Sequence, residues 1–151
     1  MAGCLLNNHT TMDVRYTLSL EDHLAWYDHH LATPDGRCLR SSVPCLSGFL
    51  DRFRRWRYSR WLVLPRNRLA FGGRTLEATE QGSREFSAEI NIMTPWSEIA
   101  LVAVTSSHLF LAHKSMNAHI VPLRFFESDA ARESFVFFAR SHVNTHTQPA
   151  P

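Results

Sequence analysis

The sequence predicts an α+β domain: an antiparallel sheet of about six strands, with one helix near the N-terminus and another closing the sheet at the C-terminal end. Three observations carry this expectation. Residues 96–126 break into three short apolar runs: ALVAVT, then LFLA after Ser106 and Ser107, then HIVPL after the polar turn at 114–117. Short apolar runs bounded by turn residues are the sequence form of a small antiparallel sheet. Near the start, Val14, Tyr16 and Leu18 alternate with Arg15, Thr17 and Ser19, as a half-buried strand does. Near the end, Ala131, Phe135, Phe138 and His142 recur at helical spacing behind Ser128 and Asp129, a helix-start pair.

The elements follow in order. After the first strand, Ser19 and Asp22 form a capping box with Asp in place of the usual Glu or Gln, and Leu20, Leu24, Tyr27 and Leu31 fall on one helical face. Thr33-Pro34-Asp35-Gly36 stops that helix, Pro setting φ and Gly accepting the left-handed position. Further on, residues 75–79, the turn Gln81-Gly82-Ser83 and residues 85–93 read as a hairpin, with Phe86, Ala88, Ile90 and Ile92 on one face.

Composition allows one domain, spanning residues 12–142, with 1–11 and 143–151 as flexible tails. A chain of 151 residues can bury about 70% of the surface it exposes when unfolded. Its 44% apolar and 20% charged residues are those of a globular chain. Cys4, Cys38 and Cys45 make neither an even set nor a Cys-x-x-Cys pair, which argues against a disulfide framework or zinc knuckle. The first residues lack a charged segment followed by a long apolar one, so no secretory signal is read there. A cytoplasmic chain is expected. No stretch of about 18 residues is apolar and free of charge, as a membrane span requires.

Between these elements lies residues 47–70, SGFLDRFRRWRYSRWLVLPRNRLA, the most unusual composition in the chain. Arg52, Arg54, Arg55, Arg57, Arg60, Arg66 and Arg68 face a single acid, Asp51, in a chain whose formal net charge is +2. They are interleaved with Phe49, Phe53, Trp56, Tyr58 and Trp61. Leu46, Phe49, Leu50, Phe53 and Trp56 recur at three- and four-residue spacing, which predicts a basic amphipathic helix of the kind that lies on an anionic membrane surface. Arg52, Arg54, Arg55, Arg57 and Arg60 would be the electrostatic contact, and Phe53, Trp56 and Trp61 the interfacial anchors. The same side chains suit single-stranded nucleic acid, since guanidinium groups pair with phosphates and rings stack on bases. The plain alternative packs Trp56, Trp61, Leu62 and Leu64 in the core and pairs the arginines with the five acids of residues 75–98.

Other candidate sites are weaker. His29 and His30, and the set His108, His113 and His119, lack a metal-ligand spacing; residues 108 and 113 of one strand face opposite sides. No metal or cofactor is expected. Ser106, Ser107 and Cys45 are nucleophile candidates outside any nucleophile elbow, P-loop or dinucleotide turn. An enzymatic role would need a small cytosolic enzyme whose site is assembled across strands. Trp96, between Pro95 and Ile99, reads as a core anchor at a strand corner.

Trp96-Ser97-Glu98-Ile99, the strand hairpin after it, then Ile120-Val121-Pro122-Leu123-Arg124-Phe125-Phe126 and an acidic helix start resemble the C-terminal domain of YcxB-like bacterial proteins. The opening Tyr16-Thr17-Leu18-Ser19-Leu20-Glu21-Asp22-His23 is similar to the start of such proteins. The resemblance implies a membrane-associated protein. It further implies a pleckstrin-homology-like partial barrel, a strongly bent antiparallel sheet with its C-terminal capping helix. Family members usually carry a transmembrane hairpin after the opening segment; here the Arg-rich stretch stands in its place. They also carry a basic residue where this chain has Leu123, leaving Arg124 as the charge at that corner. Residues and resemblance together predict a non-enzymatic, membrane-peripheral or regulatory interaction module at the cytoplasmic face. Its partner would be an anionic membrane surface or a protein, with nucleic acid as the rival.

Overall fold

The computed structural model describes residues 11–32, 44–115 and 117–147. The turn expected at 33–36 lies outside them. Strand β1 (Met12–Leu18) leads into helix α1 (Leu20–Ala32), and helix α2 (Pro44–Leu62) follows. A short 3-10 segment, Pro65–Ala70, then delivers the chain to β2 (Gly72–Thr79), β3 (Gly82–Phe86) and β4 (Asn91–Pro95). Beyond a single turn at Trp96–Glu98 come β5 (Ile99–Val104), β6 (His108–His113) and β7 (Ala118–Pro122), and helix α3 (Asp129–Thr147) ends the described chain.

The strands form two antiparallel sheets, of order β1-β2-β3-β4 and β5-β6-β7. The expected sheet of about six strands is thus seven strands in two pieces. The break falls at Trp96, whose ring is 1% exposed and whose Nε1 donates to the Thr79 carbonyl at 2.8 Å. That bond ties the β4–β5 corner to the end of β2, so Trp96 is the core anchor its flanking residues suggest.

The expected strand at 85–93 is also two. Ser87 N donates to Ile90 O at 2.8 Å, while Ser87 Oγ accepts from Glu89 N and Ile90 N. This turn reverses the chain between β3 and β4, so Phe86, Ala88, Ile90 and Ile92 share no buried face. β3 and β4 then approach so closely at Gly82 that a Cβ there would lie 2.2 Å from the Thr94 carbonyl oxygen. Only glycine fits that contact.

One hydrophobic core joins both sheets: Val14, Tyr16 and Leu18 of β1, Leu76 and Ala78 of β2, Leu109, Phe110 and Leu111 of β6, and Ile120 and Val121 of β7. Helix α3 closes it with Phe135, Val136, Ala139 and Val143. The expected Phe138 face is half-buried, against Trp96, and Ala131 is exposed. Val143 is 5% exposed and the helix runs on to Thr147. On the other side, Trp26 of α1 packs on Phe110 with ring centroids 5.3 Å apart. Helices α1 and α2 are therefore an insertion between neighbouring strands β1 and β2.

Candidate functional site

Helix α2 forms where the apolar spacing predicts it, and Pro65 helps end it. The residue before a proline is pushed out of the helical region, and Leu64 sits at φ −67°, ψ 142°. The freed Trp61 carbonyl accepts from Asn67 Nδ2 at 2.6 Å. One face of α2 packs on α1: Leu62 is 2% exposed, and Tyr58 stacks on Tyr27 at 4.8 Å.

The packing divides the predicted arginine set. Arg55 lies toward α1, where its Nε meets both carboxylate oxygens of Asp28 at 3.2 Å and its Nη2 approaches Glu21 at 3.9 Å. Arg54 pairs within the helix with Asp51 at 3.6 Å. Arg52, Arg57 and Arg60 are exposed on the outer face and make no ion pair among the described residues. Phe53 and Trp56, stacked at 5.8 Å, lie on that face and are 45% and 58% exposed.

Trp61, stacked on Tyr58 at 6.0 Å, and then Val63, Leu64 and Leu69 continue the exposed apolar surface past the helix end. Of the side chains assigned to the core by the packing alternative, Leu62 alone is buried. Arg68 does pair with a hairpin acid, Glu89, at 3.3 Å. Of the five predicted arginines, α1 and Asp51 thus supply acids to Arg55 and Arg54, whereas Arg52, Arg57 and Arg60 are left to the outer face.

Two buried carboxylates, unmarked in the sequence as a site, tie separate elements of the fold together. Asp22 accepts from Ser19 N and Ser19 Oγ at 2.8 Å, closing the capping box at the start of α1. It also accepts from His108 Nε2 at 2.8 Å and from both terminal nitrogens of Arg124 at 2.8 and 2.9 Å. Burial opposes its charge, but these donors outweigh that and hold the carboxyl well below the usual carboxylate range.

Glu85 is the counterpart between the sheets. It accepts from Tyr16 Oη at 2.7 Å, from Arg74 at 2.9 Å and from His119 Nδ1 at 3.1 Å. Burial again pushes up, and His119 with Arg74 pulls harder, bringing it down to about 2. Burial, together with the apposed Glu85, raises the Tyr16 phenol well above its ordinary value.

The histidines divide between these networks. His108 and His113 do face opposite sides of β6: the first meets Asp22, whereas the second lies edge-on to His119 at 4.6 Å. The Nε2 atoms of His113 and His119 are buried with no hydrogen-bond partner among the described residues. Among the described residues no group of three or more His, Cys, Asp or Glu is placed to hold a metal ion.

Ser107 Oγ stands 2.8 Å from His108 Nδ1, completing a Ser–His–Asp chain with Asp22. Its surroundings differ from those of an acyl-transfer site. An oxyanion site needs backbone N–H groups aimed at open space, but those of Ser107 and His108 both reach Thr105 Oγ1, at 3.4 and 3.0 Å. Arg124 moreover spends the Asp22 charge. The chain binds the β5–β6 turn to α1. Cys45 opens α2, and Cys4 and Cys38 lie outside the described residues.

The fold thus defines a two-sheet α+β domain with a helical insertion whose outer face is basic and aromatic. Residues 79–136 match the family model of the YcxB-like protein family. The matched stretch runs from the end of β2 through β7 into α3, and leaves the opening segment, α1 and α2 outside it. No curated protein and no solved structure matches the chain. Among the described residues no helix is long and apolar enough to cross a membrane.

Proposed function

We propose that the chain is a non-enzymatic, membrane-peripheral interaction module that docks on anionic lipid through the outer face of α2, at the cytoplasmic surface of the membrane. One observation carries this reading. Arg52, Arg57 and Arg60, unpaired among the described residues, surround two exposed aromatic rings on a helix whose opposite face is committed to α1. Each arginine near an anionic leaflet contributes about 1 kcal/mol, while the amphipathic rings of Trp56 and Trp61 settle at headgroup depth and Phe53 adds apolar bulk.

The order of a four-stranded sheet, a three-stranded sheet and a C-terminal helix supports the pleckstrin-homology-like reading of the family resemblance. The α1–α2 insertion stands where the family's membrane hairpin is expected. A surface helix there keeps the membrane contact without the span.

Sedimentation with vesicles of phosphatidylcholine and 30% phosphatidylserine tests the proposal (roughly the anionic content of a charged leaflet). The chain should pellet at low salt. Replacing Arg52, Arg57 and Arg60 together by Gln should abolish pelleting and leave the melting temperature within about 2 °C, as expected for exposed sites. Retention on single-stranded oligonucleotides with a steep salt slope, and none on vesicles, would favour nucleic acid instead.

A further inference from the structure

Contiguous exposed apolar surface marks an interaction site. The corner between α2 and β2 carries such a surface: Val63 is 56%, Leu64 39% and Leu69 42% exposed, next to Trp61 at 47%. The corner is also fastened, so these side chains are held outward. Asn67 N donates to Leu64 O at 2.8 Å and Asn67 Nδ2 to Trp61 O at 2.6 Å, folding the 3-10 segment back on the helix end. At its far end Arg74 donates to the Leu69 carbonyl, and His23 Nε2 lies 2.7 Å from the Ala70 carbonyl.

Helical spacing puts the corner in line with the outer face of α2. Val63 N still donates to Ser59 O, at 3.3 Å, so Phe53, Arg60 and Leu64 fall on one stripe. Tyr58 and Leu62 hold the opposite face against the domain. The character of the outer face changes along the helix, from Arg52 and Arg57 near its middle to aliphatic side chains at its end. At the corner, Arg68 is held by Glu89 at 3.3 Å, whereas Arg66 is exposed with no ion pair among the described residues.

We infer that the α2–β2 corner enters the acyl boundary of an anionic bilayer, with Val63, Leu64 and Leu69 inserted and Arg60 and Arg66 at the phosphates, so that the C-terminal end of α2 lies deepest. This rests on the docking proposed for α2 and adds its orientation and depth. Charge favours lipid over a second copy of this chain, which would set the seven arginines and one acid of residues 47–70 against their own kind. A leaflet takes both groups at once, phosphates meeting guanidinium and acyl chains meeting the aliphatic side chains. Those three side chains hold fewer carbons than one myristoyl chain, which alone binds only marginally. Charge therefore remains necessary for attachment, and the corner sets the depth.

Quenching of tryptophan fluorescence by lipids brominated midway along their acyl chains, in phosphatidylcholine–phosphatidylserine vesicles, tests it. A chain with Trp56→Phe, Trp61→Phe and Leu64→Trp reports the corner, and Trp61→Phe alone leaves Trp56 to report the middle of α2. Trp96 is buried and Trp26 packs on Phe110, so neither follows the lipid. Quenching should be stronger in the first chain. Val63→Ser with Leu64→Ser should weaken vesicle binding at least about tenfold, with the melting temperature unchanged because both side chains are exposed. If the chain pellets but the corner is quenched no more than Trp56, or the serine pair binds as the wild type does, the inference fails while the docking of α2 stands. A wild type that does not pellet at low salt removes both. A concentration-dependent dimer that the serine pair disperses would assign the corner to a second copy and overturn the inference.

Discussion

Single residues set how this fold responds to acid. In the unfolded chain carboxyl groups protonate near pH 4, whereas Glu85 in the folded state titrates at about 2 and Asp22 also lies below its usual range. Their contribution is complete above about pH 4.5 and is lost as the pH falls toward 2, because only the unfolded state takes up protons in that window. His113 acts earlier. Burial, then the neighbouring His119, bring it down to about 4, while an unfolded histidine protonates near pH 6.5.

Its contribution is therefore present above about pH 6.5 and declines as the pH falls to 4. Urea melts between pH 7 and 4.5 should show stability falling with acid, and His113→Phe should flatten that slope. An unchanged slope in the variant would assign the uptake to other groups. Glu85→Gln at pH 7 should cost about 3–5 kcal/mol, the usual loss when one partner of a buried ion pair is removed, since Arg74 and Tyr16 would then face an uncharged amide.

At the scale of elements, α3 presents three phenylalanines in different surroundings. Phe135 is 2% exposed, Phe138 is half-buried against Trp96, and Phe137 points to solvent. Phe135→Ala should destabilise by about 3–5 kcal/mol and Phe138→Ala by less, as burial dictates, while Phe137→Ser should stay within about 0.5 kcal/mol. Equal losses at all three, measured by chemical denaturation, would mean that α3 does not close the core as placed.

The period of α3 was legible in the sequence because an apolar stripe is a local signal. So was the Ser19–Asp22 cap, whose residues are three apart. The other duties of Asp22 were not legible, since His108 and Arg124 stand 86 and 102 residues away and no local pattern encodes such a pairing. The β3–β4 turn was hidden because Phe86, Ala88, Ile90 and Ile92 alternate as a strand would, and Ser87 makes the turn through its own hydroxyl. The α2 face was half legible: spacing identified the helix, but only the acids of α1 decide that Arg55 faces inward and Arg57 outward.

For the whole molecule, the proposed docking raises the question whether α2 would lie on a bilayer or enter it. Its 19 residues approach the roughly 20 needed to span, yet they include Arg52, Arg54, Arg55, Arg57 and Arg60. A charge at the centre of a span costs about 3 kcal/mol each on insertion scales, so insertion across the bilayer is opposed several times over. Leu62 and Tyr58 are moreover held against the domain, and lifting α2 into lipid would expose α1. Attachment should therefore rest on screened charge together with shallow aromatic contact. Since the screening length shrinks from about 10 Å at 0.1 M salt to about 3 Å at 1 M, vesicle-bound chain should be released by 1 M NaCl or by alkaline carbonate, and should remain in the aqueous phase of a detergent partition. Phe53→Ser with Trp56→Ser should lower the salt needed for release. Retention through carbonate together with partition into detergent would show insertion, and the surface-docking account of α2 would fail.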